Sequence, residues 1–206
     1  MIWPGYRSTH ENLDGPGPRL TLLMKVYTRK GDDGSTGLLY GTRVGKDSAG
    51  PSAYGEVDEA VSALGLARAE TEPGSELNEL LIRLQRELFV AGAELATAPE
   101  NRSKLAPGVS LVTADMVSAL EPIIDDITAR YDPPQEFVLP GENRVAAALD
   151  LARCVVRRAE RASVAATRGG WLDPGSSHVV PYLNRLADLV YTLARWQEGD
   201  WRPVRT

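Results

Sequence analysis

Four short segments hold the side chains able to bind or move charge. The first, Val26–Gly37, reads VYTRKGDDGSTG. Its three glycines stand among two bases (Arg29, Lys30), two acids (Asp32, Asp33) and three hydroxyls (Thr28, Ser35, Thr36). Such a stretch cannot bury itself, so it is either an ordinary polar turn or a loop built to hold a ligand. The second, ALDLARCVVRRAERASVAA, sets Arg153, Arg157, Glu160 and Arg161 on one face of a helix. A charged face of that kind is usually solvated and laced by intrahelical salt bridges. Here Ala146, Ala147, Ala148 and Ala152 crowd the same helix, which lets neighbours pack closely. Arginines on a closely packed helix need anionic partners, which a polyphosphate or an acid across an interface would supply. The third, YLNRLADL, places Asn184 one turn from Asp188, with Arg185 set against Asp188. A polar surface triad and a functional set fit that spacing equally. The fourth, YGEVDEA, puts Asp58 on the polar side of a helix.

Helices are needed to position these groups. Val57, Val61, Leu64 and Ala67 form one stripe over Ser52–Glu70, and Pro51 suits its first turn. Leu77, Leu80, Leu81, Leu84, Leu88 and Leu95 form a wider one over Ser75–Thr97. A third helix is predicted over Ala114–Tyr131, capped by Thr113 with Asp115 in its first turn. Pro133, Pro134 and Pro140 forbid helix in the next stretch. A long fourth helix runs from about Asn143 to Arg168, and a fifth over Val180–Trp196. The fold class is therefore all-α, a five-helix antiparallel bundle.

The 206 residues form one domain, and 43% of them are hydrophobic, enough for a core. Residues 1–23 read as a disordered extension, 24–198 as the bundle and 199–206 as a C-terminal tail. A net charge of −5 gives no general field for nucleic acid. No apolar run is long enough for a membrane span, and the N-terminus lacks the order of a signal peptide. The expectation is a soluble cytoplasmic protein without nucleic-acid or membrane partners. Cys154 alone cannot build a disulfide framework, and the two histidines, His10 and His178, exclude a His-rich metal site and a Ser-His triad. GTRVGKD, Gly41–Asp47, is not a P-loop: its glycine spacing is short and Asp47 stands where Ser or Thr is required. Phe137 in FVLPG is one of only two phenylalanines, and a buried packing role is its default reading.

YTRKGDDGST, AYGEVDE, FVLPG, ARCVVRRAER and YLNRLADL occur in one order. In that order the chain resembles the PduO-type ATP:cob(I)alamin adenosyltransferases, the corrinoid adenosyltransferases, over about Lys25 to Trp196. The resemblance implies a homotrimer with active sites between subunits. The implied reaction transfers the 5′-deoxyadenosyl group of ATP to the cobalt of reduced cobalamin and releases triphosphate. Thr28, Arg29, Gly31, Asp32, Asp33, Gly34 and Thr36 match the family's ATP-binding loop, and Lys46 a lysine that contacts nucleotide. Arg157, Glu160 and Asn184 match ATP-site residues on the helices. Asp58 and Arg153 match an intersubunit salt bridge near both substrates. Phe137 matches the aromatic residue that displaces the lower axial ligand of cobalamin. ATP, Mg²⁺ and cobalamin are the implied cofactors and substrates, with no metal ligand assigned. A flavoprotein reductase and an adenosylcobalamin-dependent acceptor enzyme are the implied partners.

The physics suits these roles. Glycine-rich backbone can wrap phosphates through its N–H groups, and hydroxyls and cations add donors. The neighbouring acids make sense if Mg²⁺ bridges them to a triphosphate. Cob(I)alamin is so strong a nucleophile that no protein base is needed, so the scarcity of histidine is no objection. The chain departs from the family pattern at Ala60–Val61 after the VDE triplet, at Glu142 after LPG, and at Asp150 in the arginine helix. The last two fall near the implied corrinoid site. They leave a non-catalytic ATP-dependent corrinoid carrier or regulator as the alternative.

Overall fold

The computed structural model describes residues 27–205. The extension read over residues 1–23 lies outside them. Within the described residues the chain is a helical bundle with two small antiparallel strand pairings. Helix α1 spans Ala49–Ala69, α2 Glu76–Leu95, α3 Ala114–Ser118, α4 Glu121–Thr128, α5 Arg144–Arg168 and α6 Val179–Glu198. A 3₁₀ turn, Pro99–Lys104, follows α2.

Helix α1 packs against α5 and α2, α5 against α6, and α4 against α6. The α1–α2 pair is antiparallel: Gln85 Nε2 donates to the Val61 carbonyl, and Asn78 Nδ2 to the Thr71 hydroxyl. So is α5–α6, where Glu160 meets Asn184 and the Asn143 amide meets the Gln197 carbonyl. The core contains the predicted stripes. Val57, Leu64 and Ala67 of α1, and Leu81, Leu84, Leu88 and Leu95 of α2, are fully enclosed, with Leu149, Val156 and Ala159 of α5 and Leu183, Leu186 and Leu193 of α6.

Helix starts follow local chemistry. The side chains of Ser75, Thr113 and Asn143 accept from the backbone N–H groups of Asn78, Met116 and Ala146, meeting donors that a helix leaves without intrahelical partners. The third predicted helix is corrected. It divides into α3 and α4 around Ala119–Leu120, because Pro122 cannot donate within a helix and instead sits in the first turn of α4.

The strands were not predicted. Strand β1, Ser35–Gly37, pairs antiparallel with β2, Arg43–Gly45. The turn between them uses positive φ at Tyr40 and Gly41. Strand β3, Val138–Leu139, pairs antiparallel with β4, Arg202–Pro203, and the Val204 N–H donates to the Phe137 carbonyl at 2.9 Å. The segment read as a C-terminal tail thus lies along the Phe137 loop. No helix among the described residues is long and apolar enough to cross a membrane.

Candidate active site

The glycine-rich loop is closed on itself by its own polar groups. Asp33 Oδ1 accepts from both the backbone N–H (2.9 Å) and the hydroxyl (2.7 Å) of Ser35. The Ser35 hydroxyl is the main influence holding the Asp33 carboxyl below its ordinary value; the Ser35 N–H and nearby Arg43 act in the same direction. Gly34 adopts φ +81°, a conformation costly for other residues, and Arg29 adopts φ +61°. Lys46 Nζ donates to the Gly31 carbonyl at 2.8 Å, bringing together two residues predicted to touch nucleotide. Asp32 is exposed, and Thr28 accepts from the Lys30 N–H. Thr36 shares a side-chain hydrogen bond with Tyr54 of α1, while burial pushes the Tyr54 phenol up. The loop therefore sits against the start of α1.

The predicted helical residues divide into distinct sets. Asn184 Nδ2 donates to Glu160 Oε1 at 3.0 Å, joining α6 to α5. Arg185 turns to Asp188 and to Glu121 of α4. The YLNRLADL polar residues thus split between two partners. Arg157 is exposed, and its carbonyl accepts from Arg161. Arg153 Nε lies 3.7 Å from Asp150 Oδ1, and its guanidinium lies over the Tyr191 ring. Asp58 is partly buried on α1, where its carbonyl accepts from Ser62.

Phe137 overturns one expectation. It is 88% exposed, so it is not a core residue. The proline-rich stretch holds it on a surface loop whose backbone bonds to the segment around Val204.

Sequence reasoning missed four sets of polar contacts, those of Arg158, Asp150, Glu94 and Arg43. Arg158 bonds Glu56 and Glu59 of α1, and Glu59 and then Glu56 raise its already high pKa. The i, i+3 spacing of those glutamates was the available signal. Asp150 is buried and paired with Arg195, which also faces Glu198 at 3.0 Å. Glu94, wholly buried, accepts from Arg102 (2.7 Å), the Val112 N–H (2.8 Å) and Ser177 (2.6 Å). Arg43 is the fourth: it grips the glycine-rich loop from β2. Glu142, the departure after LPG, accepts from Arg202 Nε at 3.0 Å.

The model of the family described as cobalamin adenosyltransferase matches residues 26–197, the whole bundle. The chain belongs to that family. Among cobalamin adenosyltransferase relatives, the corrinoid adenosyltransferase of Citrobacter freundii is 39% identical over 176 residues, 85% of this chain and 96% of its own. That of Mycobacterium tuberculosis (strain ATCC 25618 / H37Rv) is 40% identical over 187 residues, covering 88% and 94%. Solved structures share the adenosyltransferase fold. A variant PduO-type ATP:corrinoid adenosyltransferase from Lactobacillus reuteri, complexed with cobalamin and ATP, superposes with a TM-score of 0.77 at 29% identity. The match covers 88% of this chain and 100% of that one. Another variant of the same protein, complexed with ATP, gives 0.76 and covers 87% and 100%.

Proposed function

We propose that this protein transfers the 5′-deoxyadenosyl group of ATP to the cobalt of cob(I)alamin. The Co–C bond forms as the bond from C5′ to the triphosphate oxygen breaks, and inorganic triphosphate leaves. The observation that carries this reading is the family match from residue 26 to residue 197, which takes in every segment with a candidate site residue. The names of its relatives specify the substrates: a corrinoid as acceptor, and ATP in the L. reuteri complexes.

Within this reading the protein positions rather than attacks. Thr28, Arg29, Gly31, Gly34, Thr36 and Lys46 hold the triphosphate through hydroxyls, backbone N–H groups and cations, with Asp32 and Asp33 in the same loop. Arg157 compensates its charge, and the Glu160–Asn184 pair offers a fixed polar edge to the nucleoside. The loop also fits Mg²⁺ arriving with the nucleotide. That ion is commonly held by one or two carboxylates together with substrate phosphates, and Asp32 presents an exposed carboxylate there. Bound Mg²⁺ would offset charge on the leaving group. Phe137 is exposed on its loop rather than buried in the core, and in this reading it lies against a corrinoid face. Excluding an axial donor there makes Co(II) easier to reduce. Arg153 and Asp58 pair between the subunits of a homotrimer. A flavoprotein supplies the electron, an adenosylcobalamin-dependent enzyme receives the product, and the setting is the cytoplasm.

The internal partners of Glu142 and Asp150 give both departures a structural role. This supports reading them as parts of the fold rather than as marks of a non-catalytic carrier. The test is an anaerobic assay with ATP, Mg²⁺ and chemically reduced cobalamin, followed by the absorbance change as the Co–C bond forms. Adenosylcobalamin and triphosphate should accumulate in equal amounts. No change at saturating substrates would retire the activity.

A further inference from the structure

Arg43 lies on β2, facing the glycine-rich loop, and it reaches both ends of the tight turn. Its Nη2 donates to the Lys30 carbonyl at 2.6 Å, just before the turn, and to the Ser35 hydroxyl just after it. The same nitrogen lies 3.8 Å from Asp33 Oδ1, which the Ser35 hydroxyl also engages. One guanidinium thus ties together the entry, an acid and the exit of the segment Gly31–Gly34. Lys46 adds a single bond to the Gly31 carbonyl.

The strand that carries Arg43 has its own footing. The preceding residue, Thr42, accepts from the buried Asn101 amide at 2.9 Å and donates to Glu100 at 3.2 Å. Its carbonyl accepts from the Leu38 N–H at 2.7 Å. The Tyr40 hydroxyl donates to the Lys104 carbonyl at 2.8 Å. The turn joining β1 to β2 is thereby fixed to the 3₁₀ segment after α2, and Arg43 is held in place.

We propose that Arg43 is a positioning residue that shapes the glycine-rich loop before ATP arrives, acting through the Lys30 carbonyl and Ser35 rather than by touching the triphosphate. This rests on the reading of that loop as the ATP site. A loop already in its bound shape binds without the cost of ordering it. Both bonds leave one nitrogen, whose two N–H groups serve two acceptors, so an ammonium on the flexible lysine stem keeps only part of the arrangement.

The test combines calorimetric titration of Mg-ATP with steady-state kinetics on wild type, Arg43→Ala, Arg43→Lys, Ser35→Ala and the Arg43→Ala/Ser35→Ala double variant. Arg43→Ala should weaken ATP binding roughly tenfold, equivalent to about 1.4 kcal/mol. Arg43→Lys should recover part of this. The Michaelis constant for the corrinoid, and turnover at saturating ATP, should stay within about twofold of wild type. Without ATP, trypsin should cut after Lys30 faster in Arg43→Ala than in wild type. The Arg43→Ala and Ser35→Ala losses should be clearly less than additive, because contacting residues couple. ATP affinity in Arg43→Ala within about twofold of wild type would overturn the proposal alone. So would additive losses with a fall in turnover, which would place Arg43 on the triphosphate. A wild type that does not bind ATP would overturn the loop reading and this proposal together.

Discussion

Phe137 and Arg157 are both exposed, yet their removal should be felt differently. Phe137 buries little, so Phe137→Ala should change stability by no more than about 0.5 kcal/mol. Against an axial ligand, however, its loss should lower adenosylation strongly when Co(II) and a reductant are supplied. The loss should be smaller when Co(I) is supplied ready-made, with ATP affinity unchanged. Equal losses from both starting states would retire the axial-ligand role. Arg157→Ala should instead leave triphosphate charge uncompensated. A charged hydrogen bond is worth roughly 1.5–3 kcal/mol, so kcat/KM should fall about ten- to a hundredfold; near-normal kinetics would put the triphosphate elsewhere. Asp33 makes a prediction about pH. Its folded value lies below the ordinary 3.8, chiefly through Ser35, so its stabilising contribution is present above the ordinary value and lost as pH falls through the folded one. A carboxyl NMR titration should find its midpoint below 3.8. Ser35→Ala should move that midpoint up; an unmoved midpoint would contradict the assigned cause.

The helices were legible because their signals are local. Leucine spacing, the cap at Thr113 and the proline break after Tyr131 each act within a turn or two. What escaped is long-range. Arg158 finds Glu56 102 residues earlier in the chain, and Glu142 its arginine 60 residues later. The Glu160–Asn184 pair was legible only as two motifs, since spacing along one helix says nothing about its neighbour. Phe137 was misread on composition, because scarcity of phenylalanine does not imply burial. Helix α1 supplies a further test. A Cβ at Gly50 would lie 2.1 Å from the Trp171 ring, whose Nε1 donates to the Leu95 carbonyl at 2.8 Å. Gly50→Ala should force this junction of α1, α2 and the α5–α6 turn apart, at a cost of about 1–3 kcal/mol. Thermal melting should show a drop of about 2–4 °C per kcal/mol. An unchanged melting temperature would mean that the indole moves aside freely.

Assembly decides whether Arg153 has one carboxylate near it or two. Within the chain it lies near Asp150, which is itself held by Arg195. If Asp58 of a neighbouring subunit completes the arrangement, sedimentation should show a trimer. Asp58→Asn should then reduce activity more than stability, and exchanging the charges of Asp58 and Arg153 should restore part of the loss. A double variant no better than the worse single one would argue against direct pairing. A monomeric wild type would remove the shared site.

The short pairing of β3 with β4 gives the loop that carries Phe137 a distant spectator. The Val204 amide hydrogen is committed to the Phe137 carbonyl although 67 residues separate them. Its exchange with solvent deuterium therefore reports the opening and closing of the Phe137 loop without any label on the loop itself. Protection at Val204 that rises with corrinoid, and not with ATP alone, would time the ordering of that surface within the catalytic cycle.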